Sequence, residues 1–304
     1  MHANSRSQFL PWLAFAIIAI VWGTTYLRMK AAVETLPPFT LSGARFFIAA
    51  PILLLIALPT IRRGAAGLTW TTFRNAALIG IVLQVGGLLL QAVALKHIDS
   101  GIASLMVCLN PIWMAVMMGL RTRTRPETRV IISMLAGLLG IGIMMGGPGG
   151  GTISALGISL MLVSSFFWCL GSVQARFMEL PRSAFVNSGI QLLTGGAVLM
   201  VIAYTLGEWD TFHLADVSQR SWIGFVWLVI GGSLLAYNAY SYAVLTLPIE
   251  IVSTYVYINP IVAISLGAVI DNEPVGPNVI IGGAIILLAV IAIVSGQALQ
   301  RRKS

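Results

Sequence analysis

The chain has 304 residues, 58% of them hydrophobic and 9% charged, with a formal net charge of +8 and a mean hydropathy of +0.92. A soluble domain carries roughly 25% charged residues, so a water-soluble fold is excluded and the bilayer is the relevant solvent. The two cysteines, Cys108 and Cys169, have neither metal nor disulfide spacing and read as packing residues.

Ten apolar runs approach the about 20 residues needed to cross the hydrocarbon core: 9–28, 39–59, 74–95, 100–120, 129–147, 154–175, 184–206, 221–244, 249–270 and 277–298. The first follows Arg6, as the apolar core of a cleaved signal sequence would. The recurrence of Trp22 and its neighbourhood later in the chain argues for a retained span instead. Tryptophans at span ends mark the headgroup interface, a reading that suits Trp12, Trp70, Trp209 and Trp222. Trp22, with Thr25 and Tyr26, lies deeper and reads equally as a cavity lining.

The second run holds Arg45, the basic residue well inside a span. At a helix centre such a group costs roughly 2.5–3.5 kcal/mol on insertion scales, so it is expected to face protein or water. It either snorkels outward to pair with Glu34 or loop carbonyls, or attracts a substrate carboxylate or phosphate. In the third run Gly80, Gln84, Gly87 and Gln91 form one helical stripe. Facing lipid, each glutamine would leave its amide unsatisfied at a cost of a few kcal/mol. The stripe is therefore predicted to face inward, either as packing or as a cavity wall. The fourth run contains VCLNPIW (107–113), where Pro111 takes away a hydrogen bond from the Val107 carbonyl and is expected to kink the helix.

The basic loop RTRTRPETR (121–129) precedes the fifth run, and glycines and a proline at 146–151 favour neither helix nor strand. The chain thus divides into 1–147, a linker at 148–151, and 152–304. The sixth run offers Ser164, Trp168 and Ser172 at i, i+4 and i+8, and the seventh the stripe Ser183, Asn187, Gln191 and Thr194. Along the eighth lie Ser233, Ala236 and Tyr240, with Tyr237, Asn238 and Ser241 beside them. The ninth holds VYINPIV (256–262), including Tyr257, Asn259 and Pro260, and ends in the acidic turn DNEP (271–274).

The two parts repeat one another. Segment 94–112 aligns with 243–261 at a constant offset of 149, pairing Asn110 with Asn259 and Pro111 with Pro260. At offsets of 144 to 146, Trp22 falls on Trp168 and Arg45 on Gln191. Each half has five runs, and an odd number makes the second enter from the opposite face. The expected fold is therefore an all-α integral membrane protein of ten helices in two inverted five-helix repeats. Such repeats around a midplane site are a recurring design of secondary transporters. The matched Asn110-Pro111 and Asn259-Pro260 then read as hinges of two gates.

With the N-terminus in the cytoplasm, 13 of the 18 Lys and Arg fall in inner loops and tails and 4 in outer loops. This positive-inside bias places both termini inside and explains the net charge without nucleic acid. All ten acidic residues lie in loops or near span ends, and His2, His97 and His213 lie outside the membrane. No proton-coupling residue stands out; Asp99 and Glu250 are nearest, and both read as charges complementing a helix N-terminus. Intramembrane hydrolysis would need paired aspartates, a zinc motif or a serine with a base, and no P-loop is present. An enzyme is not expected. A channel would want a charged ring or a filter loop, and neither is visible.

WGTTY (22–26), LPP (36–38), GARFF (43–47), the two NPI elements and the DNEP turn together resemble the EamA-type family of the drug/metabolite transporter superfamily, in particular its bacterial metabolite and drug exporters. One departure is the basic RTRTR where that family often has an acidic turn, so no acidic role carries over there. The resemblance implies an inner-membrane exporter of small organic metabolites, such as amino acids or drug-like compounds, with helices rocking around a central cavity. Its wall would comprise Trp22, Thr25, Tyr26, Arg45, Gln84, Gln91, Trp168, Ser172, Gln191, Tyr237, Asn238, Ser241 and Tyr257. No cofactor and no metal are expected. The partners are a small-molecule substrate and the bilayer, and a homodimer is compatible. The alternative is a membrane scaffold or assembly subunit whose buried polar groups only bond one another.

Overall fold

The computed structural model describes residues 5–123, 154–247 and 258–301, with isolated positions within 128–143 and 252–256. Most of the fifth run, the linker at 148–151, Glu250 and Tyr257 lie outside the described residues.

In hydrocarbon every backbone N–H and C=O must be satisfied within its own segment, so apolar runs of this length form helices. They are α1 (Ser5–Ala32), α2 (Pro38–Arg62), α3 (Trp70–Ala94), α4 (Ser100–Val107), α5 (Asn110–Thr122), α6 (Ala155–Gln174), α7 (Ala184–Thr205), α8 (Gln219–Thr246), α9 (Asn259–Ile270) and α10 (Pro277–Arg301). Among the described residues seven stretches are long and apolar enough to cross a bilayer, with α4 and α5 together forming one of them. No strand occurs among them. Pro38 opens α2 in the first turn, where its missing N–H is not needed. Side-chain caps start three others: Thr69 on α3, Ser154 on α6 and Ser218 on α8.

Two departures from regular helix matter for the site. The kink expected at Pro111 takes the form of a break in the α-helix one tight turn long: Cys108 and Leu109 stay right-handed, their amides donating to the Leu105 and Met106 carbonyls at 3.1 Å. The helix then restarts at Asn110, with Pro111 in its first turn. Likewise α9 begins at Asn259, with Pro260 in its first turn. The tightened turn falls there because proline is strained inside a helix and well suited to starting one. The second departure is that α3 is π-helical over Val82–Leu89 and α8 over Leu228–Tyr237.

Helices of the two halves interleave. α2 runs along α7, α1 packs on α8 and α9, α6 packs on α3, α4 and α5, and α4 packs on α9. At Gly80 a Cβ would collide with the Gln191 backbone, so α3 and α7 touch main chain to main chain. The loops sort to two ends. Lys30, Asp99, Arg220, Asp271 and Glu273 gather at one. At the other, Asn75 Nδ2 donates to the Glu179 carbonyl at 3.0 Å and the Arg182 amide to the Ala66 carbonyl at 2.9 Å. The outside is apolar, with Leu55, Val201 and Ile230 exposed, and Trp12, Trp70, Trp209 and Trp222 are exposed as well. A surface this apolar suits lipid rather than water.

Candidate functional site

A pocket lies within the bundle, in the half nearer the charged end; the space between its walls, its open mouth included, is about 540 Å³. Trp22, Thr25, Tyr26 and Met29 of α1 line it, with Arg45 of α2, Gly87, Leu88 and Gln91 of α3, and Val107 and Asn110 at the α4–α5 break. Ser164, Ser165 and Trp168 of α6, Gly232 of α8 and Tyr255 complete the wall.

Its aromatic side is one connected cluster. Trp22 meets Trp168, Tyr240 and Tyr255 with ring centroids 5.4, 5.0 and 5.2 Å apart, and Trp168 meets Tyr240 at 5.1 Å. Tilted and edge-on contacts of this kind favour the ring quadrupoles and hold large side chains in place. Trp22 Nε1 donates to the Gly232 carbonyl at 3.4 Å, and Ser164 Oγ to the Gly87 carbonyl at 2.9 Å. Each accepting carbonyl belongs to a π-helical segment. A π-bulge is the sort of local distortion that functional sites use.

A second, smaller cavity lies toward the opposite end, with about 300 Å³ between its walls, its open mouth included. Ile79, Leu83, Ser172, Ala175, Leu180, Asn187, Gln191, Tyr240, Ser241, Val244 and Leu245 line it, so Tyr240 belongs to both the aromatic cluster and this wall. Its polar groups bond one another. Tyr237 Oη donates to Gln191 Oε1 at 2.6 Å, Gln191 Nε2 to Asn187 Oδ1 at 3.1 Å, and Asn187 Nδ2 to Ser241 Oγ at 2.9 Å. Ser172 and Tyr240 share a hydrogen bond of 2.7 Å.

The charged end carries a clasp. Lys30 Nζ pairs with Asp99 and, at 2.8 Å, with Glu273 Oε1. Glu273 also accepts from the Ser100 amide at 3.1 Å and from Ser100 Oγ at 2.8 Å. It thereby caps the start of α4, the place where Asp99 was expected to act through the helix dipole. Burial works against ionisation of Glu273, but the bonds from Lys30 and Ser100 outweigh it and hold its carboxyl below the ordinary carboxylate range. Gly267 makes this approach feasible, because a Cβ there would strike the Glu273 carboxylate. Beside the clasp Arg220 pairs with Glu34 at 3.4 Å and with Asp271.

The residues singled out from sequence therefore separate into groups. Trp22, Thr25, Tyr26, Arg45, Gln91, Asn110 and Trp168 line the larger cavity. Ser172, Gln191 and Ser241 line the smaller one. Gln84, Tyr237 and Asn238 stand outside both linings. Gln84 is 0% exposed and packed under Gly195 of α7, Tyr237 is buried behind Gln191, and Asn238 is half-buried against Ser188. Pro111, Asn259 and Pro260 are buried at the helix starts. Arg45 does not pair with Glu34, whose partner is Arg220.

Several participants were missed. Reading the cysteines as mere packing overlooked two contacts. Cys108 Sγ donates to the Val256 carbonyl at 3.0 Å, the group that Pro260 cannot bond, and Cys169 Sγ donates to the Asn110 carbonyl at 3.4 Å. Val107, whose carbonyl Pro111 leaves free, lines the larger cavity. The π-helical segments carry paired glycines at 86–87 and 231–232, but the regular helices α7 and α10 carry them too at 195–196 and 282–283, so the pair is no signal. The clasp had one, since Lys30 and Glu273 both stand next to span ends in the sequence.

The chain has detectable relatives. The sequence profile of the EamA-like transporter family matches residues 10–146 and 155–295. The chain is 32% identical over 297 residues to the uncharacterized inner membrane transporter YedA of Escherichia coli strain K12, covering 96% of this chain and 93% of that protein. It is 27% identical over 266 residues to the uncharacterized transporter YvbV of Bacillus subtilis strain 168, covering 84% and 86%. A solved crystal structure superposes with a TM-score of 0.65 at 19% identity, over 99% of this chain and all of the other, which speaks to the fold alone. With its apolar spans and a profile match over most of its length, the chain is a multi-pass membrane protein and belongs to the EamA-like transporter family, which is not an enzyme class.

Proposed function

We propose that this transporter exports a small organic metabolite across a bacterial inner membrane by alternating access, as ten spans in two inverted repeats, 1–147 and 152–304, with both termini cytoplasmic. The observation that carries the proposal is a cavity walled by α1 to α3 and the α4–α5 break from one half and by α6 and α8 from the other. A site shared by two halves changes access when they rock against each other. Export as the direction rests on the resemblance to exporters.

Three further features support the repeat arrangement. Packing of α1 on α8 and α9 is matched by packing of α6 on α3 and on α4 and α5, the same contacts with the halves exchanged. The π-helical segments fall in the third and eighth runs, which the repeat pairs. Gly23 follows Trp22 and packs against the Asn259 carbonyl, while Cys169 follows Trp168 and bonds the Asn110 carbonyl.

In this mechanism the break before Asn110-Pro111 and the start of α9 at Asn259-Pro260 are the hinges, because each proline leaves the carbonyl four residues before it without a ladder hydrogen bond. The clasp of Lys30, Asp99 and Glu273 ties α1 and α4 to the turn after α9 and acts as the outer latch. The Tyr237–Gln191–Asn187–Ser241 chain is the inner closure. The test is substitution of Gln91→Cys and Ser241→Cys in reconstituted vesicles, with a membrane-impermeant thiol reagent on either side and flux of amino acids and aromatic solutes measured in parallel. Labelling from opposite sides together with flux is expected. Protection of both positions with no flux would favour a scaffold.

A further inference from the structure

Resting on the transport reading of the larger cavity, we infer that its cargo is an organic monoanion, a carboxylate on an aromatic or apolar body, held by Arg45. The side chain is 4% exposed and lines the cavity. Its Nε has no hydrogen-bond partner, and no ion pair joins Arg45 to any described residue. Its guanidinium lies 4.4 Å from the ring centroid of its neighbour Phe46, a contact too weak to replace a counter-ion.

Buried charges are ordinarily paired, and the acids at this end are already engaged. Asp99 and Glu273 hold Lys30, Glu34 and Asp271 hold Arg220, and Glu208 accepts from the Thr40 amide at 2.8 Å and from Thr40 Oγ1 at 2.7 Å. The position that aligns with Arg45 in the second half is Gln191, neutral and hydrogen-bonded. Positive charge is thus placed at one of two equivalent positions, and it is the one facing the larger cavity.

A planar guanidinium matches a carboxylate with two parallel hydrogen bonds. One unpaired cation neutralises one negative charge, so a doubly charged phosphate would leave a surplus in a low-dielectric site. No Asp or Glu appears in the cavity lining, so an organic cation has no opposite charge to meet. Trp22, Trp168 and Tyr255 supply flat apolar surface for the body. Trp168 Nε1 and Ser165 Oγ, buried without partners, are donors left over for the same head group.

The test compares 2-naphthoate with its neutral isostere 2-naphthamide and with 2-naphthylmethylamine, by calorimetric titration of the full chain in lipid nanodiscs. The carboxylate is expected to bind at least about tenfold more tightly than the amide, as one charge-assisted pair would provide. Arg45→Gln should abolish that preference and Arg45→Lys should retain part of it. A measurement on the unaltered protein guards against misfolding: 2-naphthoate, unlike the amide, should slow phenylglyoxal modification of Arg45 mapped by peptide mass spectrometry. Equal affinity for acid and amide, tightest binding of the amine, or a preference that survives Arg45→Gln would overturn the inference. Flux separates the two readings. Vesicles that carry aromatic solutes without carboxylate preference would remove the anchor and keep transport. Arg45-dependent binding without any flux would keep the anchor and remove transport.

Discussion

The two cavities are built from similar residue types and treat their polar groups in opposite ways. In the larger one Arg45 Nε, Asn110 Oδ1, Ser165 Oγ and Trp168 Nε1 are buried without partners. In the smaller one Ser172, Asn187, Gln191, Tyr240 and Ser241 all bond within the protein. A buried donor or acceptor left unmade costs about 1–3 kcal/mol, a cost that water or a ligand in the cavity would relieve for the first set. The second set is complete and rigid, as satisfied buried networks are. The contrast marks one cavity as receptive and the other as closed, and the aromatic cluster of Trp22, Trp168 and Tyr240 stands between them.

The largest expected effect comes from erasing the difference in charge. Gln191→Arg removes the acceptor of Tyr237 and the donor to Asn187 and buries a cation among satisfied groups. Destabilisation of about 2.5–3.5 kcal/mol is expected, read from SDS-induced unfolding in mixed micelles. No measurable change would mean that the smaller cavity is as wet as the larger one. Next is Tyr237→Phe, which leaves Gln191 Oε1 unpaired at a cost of about 1–3 kcal/mol. Labelling at Ser241→Cys from that side should rise roughly tenfold, and unchanged labelling would place the closure elsewhere.

Pro111→Ala and Pro260→Ala sharpen the comparison by acting on the proposed hinges. Each should lower flux several-fold, with opposite bias in which cavity a thiol reagent reaches; the same bias in both would return the prolines to packing. The smallest effect is at the clasp. The Glu273 pKa lies below its unfolded value of about 4.3, so its contribution is complete above that pH and fades as pH falls through the folded value. Amide exchange at Ser100 and Gly101, corrected for intrinsic rate, should therefore rise as the pH falls below the ordinary carboxylate range. Glu273→Gln should remove that dependence.

Much of this was legible in the chain because the bilayer permits few solutions. Apolar runs of 20 residues become helices, and short motifs in a set order pointed to the family that the profile match then established. Trp22, Arg45, Gln91 and Trp168 were marked by one argument, that polar or amphipathic groups at depth avoid lipid, and all four line the larger cavity. The same argument marked Gln84 and Tyr237, which avoid lipid by packing between helices. Depth and face say that a side chain turns inward, without saying whether it meets space or another helix.

Composition, run length and charge placement thus determined a helical membrane protein, and the doubled NPI marked where its helices are interrupted. Each of these depends on a residue's own chemistry in a bilayer and is readable one segment at a time. Tertiary structure decided which polar groups were left unpaired. Only the packing of α7 on α8 closes the Gln191 network, and only the meeting of three chain segments uses Lys30 and Glu273 against each other. It also decided that Arg45 has the larger cavity before it and, among the described residues, no counter-ion beside it. Whether a partner is present depends on residues from about fifty to more than two hundred positions away, and no local pattern carries that information.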